Sequence, residues 1–217
     1  AYDVIILDTP ENILKKFKLF NKPVVCSIQK GFILDLVFPT CFENVICTGN
    51  IIGYVKHILT ILRLVVKHKE LWKNKTDQII FNEICQLEPY IKQTIALDTD
   101  QTLFYVTSMD NFNFNNTIKD ISMENGKLYN ISKTNKNPQT PISILHLAGN
   151  INGEKYLDYL GYDTNDVKPM GGYKVTQLLT SVTFLLNKHR NFIVTFCGIL
   201  ICIFIISCIL FSKSLLQ

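Results

Sequence analysis

The apolar run near the end of the chain is the feature that most limits how the chain can fold. Residues 192–211 contain no charged side chain, and a helix over this range would rise about 30 Å, the hydrocarbon thickness of a bilayer. A buried core helix is the alternative, but this run has no polar stripe that could face solvent. The run therefore predicts one transmembrane helix at 192–211, and with it a membrane as a partner.

The segment before this run has the spacing of an amphipathic helix. Its apolar residues recur at helical intervals: Val175, Leu178, Leu179, Val182, Leu185 and Leu186. A helix over 173–189 could lie on the bilayer surface or pack against the globular part or a partner. Basic residues are more numerous before the span than after it, which weakly favours a cytoplasmic side for the globular part.

The remaining sequence, residues 1–165, is expected to form one globular domain. The chain of 217 residues is 47% hydrophobic, which is enough to bury a core. Its net charge of +4 is small and its lysines are scattered, so nucleic-acid binding is not expected. Short β-branched runs alternate with segments of helical periodicity, and this alternation predicts an α/β layer structure.

Local signals place several of these elements. Thr9 followed by Pro10 is typical of a helix start, and Thr76 begins another helix in TDQIIFNEIC. Apolar periodicity predicts a long helix from about residue 55 to 67. The predicted strands are VVCSI, residues 102–106 and residues 142–145. The Asn-rich stretch between the last two strands is expected to be a hairpin or a loop excursion.

The cysteines of the globular part do not form a zinc motif. They are Cys26, Cys41, Cys47 and Cys85, without a CxxC pair or a Cys/His spacing of that kind. Buried reduced thiols are the simplest expectation, and a Cys41–Cys47 disulfide stays open. Sequons of the N-x-S/T type carry little weight in a chain this rich in Asn, Ser and Thr, and they stand at Asn74, Asn115 and Asn130.

Four polar features stand where short apolar segments begin or end. They are Asp3, the CTGNIIG segment at 47–53, the pair Asp77 and Gln78, and His146. Each has a plain explanation by itself, such as a solvated terminus, a turn, a first-turn helix charge or a core histidine. Their order along the chain is more informative than any one of them.

This order resembles the glycosyltransferase domain of procollagen-lysine hydroxylases and the related procollagen galactosyltransferases. AYDVIILDTPENILKKF is similar to that family's D-A/S-Y-D-V-I stretch, and VVCSIQ to its strand ending in Ser-Ala-Glu. ICTGNIIGY resembles Leu-Asn-Ser-Gly-Gly-Phe-Ile-Gly, and TDQIIFNEIC resembles Asp-Asp-Gln-Leu-Phe-Tyr. ILHLAGN, followed by YLDYLGY, resembles the closing His-Gly-Asn-Gly and its sequel. The resemblance runs from Ala1 to about Tyr162.

The resemblance implies a partial GT-A type fold that binds a nucleotide-diphosphate sugar through a divalent metal, usually manganese. Asp3 matches the second aspartate of the family's metal motif, and His146 matches the histidine that completes the metal site. Carboxylate and imidazole ligands suit such a cation, which neutralises the charge of a diphosphate leaving group.

Further site residues follow from the same resemblance. Gly49 and Gly53 match positions where the chain turns tightly and passes close to the donor or acceptor. Asp77 matches a catalytic or sugar-orienting carboxylate. Gln78 and Asn150 match positions that bind the substrate.

Several positions depart from the family. The first metal-binding aspartate would stand immediately before Ala1, so we expect this sequence to be the C-terminal part of a domain whose nucleotide-binding first half is missing. Cys47 replaces the family's asparagine, Gln29 replaces an acidic residue, and Thr76 replaces the first of two paired aspartates. These changes weaken the expectation of full activity.

Two functions are therefore considered. The first is a membrane-anchored enzyme that moves a hexose from a UDP-sugar to a hydroxyl of a protein or glycan acceptor, such as hydroxylysine in a collagen-like protein. The second, which the substitutions favour, is a non-catalytic, transferase-like membrane glycoprotein that acts as a binding or structural module. The resemblance implies a lumenal domain in the endoplasmic reticulum or secretory pathway, in contrast to the cytoplasmic side that the charge bias favours.

Overall fold

The computed structural model describes residues 3–30, 38–73, 75–107, 118–148 and 153–164. The chain divides into two units, Ala1–Lys174 and Val175–Gln217, and all described residues belong to the first. The helices predicted at 173–189 and 192–211 lie outside the described residues, as does Asn150. Within the described part, no helix is both long enough and apolar enough to cross a bilayer.

The described part is an α/β structure, as predicted, and it consists of two small mixed sheets, a hairpin and helices. Its strands are β1 Val4–Ile6, β2 Val24–Gln29, β3 Val45–Gly53, β4 Ile95–Asp98, β5 Phe104–Val106, β6 Ile121–Glu124, β7 Lys127–Asn130 and β8 Ile144–His146. Its α-helices are α1 Pro10–Leu19, α2 Val55–Lys67, α3 Asp77–Leu87, α4 Pro89–Thr94 and α5 Glu154–Tyr159. Short 3₁₀ helices cover Lys69–Trp72 and Ile118–Asp120.

Each of the two sheets contains one antiparallel and one parallel pair of strands. In the sheet of order β1-β8-β5, β8 pairs antiparallel with β1 and parallel with β5. In the sheet of order β3-β2-β4, β2 pairs antiparallel with β3 and parallel with β4. One apolar cluster joins α1 to strands of both sheets through Phe17, Val25, Leu103 and Phe104. Every residue of β2 is buried, as expected of a central strand covered on both faces.

Capping residues explain where α1 and α3 begin. The hydroxyl of Thr9 accepts a hydrogen bond from the amide of Asn12, and the hydroxyl of Thr76 accepts one from the amide of Ile79. Each hydroxyl satisfies an amide that the helix itself leaves unpaired, and the prediction of both helices is confirmed. Helix α2 has the predicted bounds, and the Asn-rich stretch contains the hairpin β6–β7 between β5 and β8.

The CTGNIIG segment is not the turn that its glycines predict, because it belongs to the nine-residue strand β3. The register of β3 against β2 shifts between Cys26 and Ser27, whose partners are Ile51 and Cys47. The residues between those two partners have no one-to-one partner on β2, so the strand bulges there. The Ser27 hydroxyl closes the bulge through contacts to the carbonyl oxygens of Cys47 and Asn50.

A disulfide joins Cys41 to Cys85 and so links the loop before β3 to helix α3. The expectation of reduced thiols is wrong for this pair, and a Cys41–Cys47 bridge is excluded because Cys47 is a free thiol. The partners are 44 residues apart in sequence, and only the packing of α3 brings them together. Cys26 and Cys47 are buried free thiols, as expected.

The sequon at Asn130 cannot carry a glycan in the folded domain. The Asn130 side chain is buried, donates a hydrogen bond to the carbonyl of Asp100 and accepts one from the amide of Ser132. The sequons at Asn74 and Asn115 lie outside the described residues.

We expect Asn82→Ala to weaken the attachment of α3 to β3. The buried Asn82 amide accepts a hydrogen bond from the Ile46 amide and donates one to the Ile46 carbonyl. Alanine leaves these two backbone groups unpaired, which should lower the free energy of unfolding by about 2–4 kcal/mol in a denaturant titration. The exposed Gln86 of the same helix is the control: its side chain donates a hydrogen bond to the Thr40 carbonyl at the surface, where water can replace it, so Gln86→Ala should cost less than about 1 kcal/mol. Equal losses in both variants would contradict this role of Asn82.

Candidate functional site

The pairing of β1 with β8 brings Asp3 and His146 together although they are 143 residues apart in sequence. Val4 lies opposite His146 in the antiparallel ladder, and the amide of Leu147 donates a hydrogen bond to the Asp3 carbonyl. The carboxylate oxygen Oδ2 of Asp3 is 3.2 Å from Nε2 of His146. The two residues predicted as metal ligands are thus direct neighbours where these strands begin and end.

Burial keeps the His146 imidazole neutral at neutral pH. Desolvation lowers the pKa of His146 from its usual 6.5, although the Asp3 carboxylate acts in the opposite direction. The contact between the two side chains is therefore a hydrogen bond of a neutral imidazole to a carboxylate and not an ion pair. Neutral imidazole is the form that binds metal ions.

The bulge of β3 lies directly against this imidazole. A β-carbon built on Gly49 would overlap Cε1 of His146 and stand 2.9 Å from Nε2. Only glycine leaves room for the ring at this point, so the close approach predicted at Gly49 is an approach to His146. The predicted contact of Gly49 with the donor or acceptor stays a prediction.

Gly53 has a different environment at the end of β3. A β-carbon there would stand 2.7 Å from the carbonyl oxygen of Pro23 and 3.0 Å from Cα of Val24. Val24 is the residue paired with Gly53 in the β2–β3 ladder. Close packing of the two strands therefore accounts for this glycine, and the structure does not bring it to the Asp3–His146 pair.

The beginning of α3 brings Asp77 and Gln78 to the same bulge. The hydroxyl of Thr48, a residue of the bulge, donates a hydrogen bond of 2.9 Å to Oδ2 of Asp77. The side-chain amide of Gln78 donates one of 3.0 Å to Oε1 of Gln29, at the end of β2. As the first residue of α3, Asp77 is also stabilised by the helix dipole.

Cys47 lies between the two halves of the site as a neutral group. Its Sγ is 3.5 Å from Nδ1 of His146. Burial raises the pKa of the Cys47 thiol to about 11, and the carboxylates of Asp77 and Asp3 add to the shift. Cys47 is therefore a protonated thiol and not a thiolate ligand. Cys47 thus contacts His146 directly and belongs to the same strand β3 as Thr48, the partner of Asp77.

Asn50 is a residue of this site that the sequence interpretation missed. It is buried in the bulge, and among the described residues its side-chain Nδ2 has no hydrogen-bond partner. A buried amide donor without a partner is costly, so an oxygen of a water or of a bound ligand is the expected acceptor. The family's motif has glycine at this position, and the resemblance therefore gave no signal for it.

The donor set fits a divalent cation in part. Asp3 and His146 supply one carboxylate and one imidazole, ligands that suit Mn²⁺. In residues 3–30, 38–73, 75–107, 118–148 and 153–164, no group of three or more His, Cys, Asp or Glu side chains is placed to hold a metal ion. The described part would thus supply two ligands to such a cation, and a complete site would need further ones from the substrate or from other residues.

Comparison with known proteins gave one family. A family model described as the PLOD GT domain matches residues 1–173, a range that contains every site residue discussed above. A search of curated proteins found no match to the chain.

Proposed function

The chain belongs to the PLOD glycosyltransferase domain family, and on that premise we propose that it is a metal-dependent enzyme that moves a hexose from a UDP-sugar to a hydroxyl acceptor. The observation that carries the proposal is the contact between Asp3 and His146 beside Gly49. A GT-A type fold is what the family implies, and the mixed sheets around the site agree with it. The proposed acceptor is a protein or glycan hydroxyl, such as hydroxylysine in a collagen-like protein.

In this proposal Asp3 and His146 hold the cation, for which manganese is the expected ion. When bound, the cation supplies positive charge to the diphosphate of the donor. Burial keeps the His146 imidazole neutral, and its hydrogen bond to the Asp3 carboxylate places the single ring proton on Nε2. Nε2 would bind the cation beside Asp3 once that proton moves to Nδ1. The glycine at position 49 keeps the ring in place beside the Asp3 carboxylate.

Asp77 is the group that we assign to the acceptor or the transferred sugar. In the transfer, the bond from the anomeric carbon to the phosphate oxygen breaks, a bond to the acceptor oxygen forms, and the acceptor hydroxyl loses its proton. A carboxylate held by the Thr48 hydroxyl can accept that proton or orient a sugar hydroxyl. The Asn50 amide and Gln78 supply polar contacts to the substrate from the region around the β3 bulge. For Asn150 we propose the substrate-binding role that the resemblance implies.

A non-catalytic binding module is the second candidate. Gln29 and Gln78 form a neutral amide pair where the family carries an acidic residue, and the neutral thiol of Cys47 contacts His146. The site therefore has less negative charge for holding cations than the family's motifs imply. This candidate predicts partner or donor binding without sugar transfer.

We also propose that residues 192–211 anchor the chain in a membrane and that the domain faces the lumen of the secretory pathway. The disulfide between Cys41 and Cys85 supports the lumenal side, because disulfides persist in oxidising compartments. This argument is stronger than the weak charge bias that favours the cytoplasm. Protection of the domain from added protease in intact microsomes tests the orientation, and digestion without detergent would contradict it.

Metal removal tests the proposed activity. We expect the chain to bind and cleave a UDP-sugar in manganese, to lose both properties when EDTA removes the cation, and to regain them when manganese is restored. Asp3→Asn should weaken manganese binding at least about tenfold, whereas Asp158→Asn, an exposed carboxylate of α5, should leave it unchanged. Metal-dependent donor binding without cleavage would favour the binding module. Absence of any metal-dependent donor binding would contradict the enzyme.

A further inference from the structure

The outer face of α2 carries an apolar row that the described domain leaves uncovered. Val55, Leu59, Leu62 and Val66 are 71%, 46%, 50% and 56% exposed. Their spacing places them within about 60° of the helix circumference and along about 16 Å of its length. We call these four residues the α2 stripe. Single exposed apolar residues are ordinary, but a continuous exposed row indicates a surface with a partner.

The fold does not need the α2 stripe, because another face of α2 packs on the core. Ile61 is buried there, and Ile58, Leu64 and Val65 pack against the same cluster, which includes residues of β2, α3 and α4. Helix α2 is therefore apolar on two faces, of which the domain uses one. The part of the chain that the structure describes leaves the remaining face uncovered, so this face can contact something else.

A basic flank runs along one side of the α2 stripe. Lys56, Arg63 and Lys67 are exposed and lie at about 80–120° around the helix from the first residue of the stripe. Lys67 forms a salt bridge with Glu88. For Lys56 and Arg63, the described part of the chain provides no salt bridge. Two positive charges thus stand beside the apolar row without a carboxylate partner from this part.

We propose that the α2 stripe docks on anionic lipids in the lumenal leaflet of a bilayer, and this rests on the lumenal orientation proposed above. Helices that lie in the membrane interface place apolar side chains at the acyl boundary and basic side chains among the headgroups. From residue 55 to residue 73 the chain contains five Lys or Arg and a single acidic residue, Glu70. Its charge is therefore complementary to an anionic surface. The span proposed at 192–211 would keep the domain next to a bilayer.

An antiparallel pair with a second copy of the chain is a less favourable way to cover the stripe. In an antiparallel pair of α2 helices related by a two-fold axis, the basic flank of one copy faces the same flank of the other. Arg63 and Lys56 would then lie near the like charges of the partner, and such contacts oppose association. Anionic headgroups remove this repulsion and compensate both charges at once.

The docking can be measured on the full chain reconstituted in vesicles. The chain contains one tryptophan, Trp72, so Trp72→Phe provides a background without tryptophan. In that background, Leu62→Trp reports contact with lipid through quenching by brominated acyl chains. Leu19→Trp is the matched control, since Leu19 is also exposed, at 74%, but lies on α1.

We expect quenching at position 62 to exceed quenching at position 19 in vesicles of phosphatidylcholine and phosphatidylserine. Replacing phosphatidylserine by phosphatidylcholine should reduce it, and Arg63→Gln or Lys56→Gln should each lower the docked-to-free ratio roughly fivefold. Equal quenching at both positions, or none at position 62, overturns the proposal. A lipid-independent cross-link between copies through Leu62→Cys also overturns it and identifies a second copy as the occupant. None of these readouts depends on sugar transfer.

Discussion

Gly49→Ala should abolish metal-dependent donor cleavage as completely as His146→Ala, although residue 49 carries no functional group. A β-carbon at this position would overlap Cε1 of His146 and approach Nε2 to 2.9 Å. Either the imidazole leaves its place beside Asp3 or the bulge of β3 opens, and both changes separate the two proposed metal ligands. Losing the charge stabilisation that depends on those ligands should lower turnover by about a thousandfold.

Gly126→Ala is the control that separates this effect from general destabilisation. Gly126 lies in the β6–β7 turn with a φ of +72° and open space around it. Alanine there costs about 1 kcal/mol of backbone strain without reaching the site. Manganese affinity and donor cleavage should collapse in Gly49→Ala and stay near the parent values in Gly126→Ala. Normal manganese affinity in a folded Gly49→Ala protein would refute the proposed role of the glycine.

Sequence reasoning works for this chain where local chemistry decides the structure. The hydroxyls of Thr9 and Thr76 mark the first turns of α1 and α3, and apolar periodicity marks α2. The contact between Asp3 and His146 is of another kind, because it depends on the register of two strands far apart in sequence. No local pattern encodes that register, and only the order of motifs in the family resemblance brought the two residues into one hypothesis.

Features that depend on tertiary packing could not be read from the sequence. A short segment with two glycines has the same composition in a turn and in a bulged strand, and the hydrogen bonds of Ser27 on the neighbouring strand decide between them. The unpaired amide of Asn50 is visible only once the bulge is folded. The pairing of Cys41 with Cys85 likewise depends on where α3 packs.

Removing that disulfide is expected to cause the largest loss of stability among the substitutions considered. The bridge closes a loop with a sequence separation of 44, and the loop-entropy relation predicts a stabilisation of about 4 kcal/mol. Cys41→Ala/Cys85→Ala should therefore lower the free energy of unfolding by about that amount in a denaturant titration. The loss also affects function, because the closed loop contains β3 with Gly49 and the first residue of α3, Asp77.

Cys26→Ala is the matched control, because it removes a buried thiol that is not part of a cross-link. Its cost should be about 1 kcal/mol, the value for a small cavity in the core. Reduction of the parent chain should reproduce most of the double variant's loss without any change of side-chain volume. If the double variant is as stable as Cys26→Ala, the bridge does not stabilise the domain, and the proposed lumenal location loses the observation that supports it. If reduction alone also releases Asp77 from the bulge, donor cleavage should fall when the disulfide is reduced. Activity would then depend on a covalent bond that lies outside the proposed metal site.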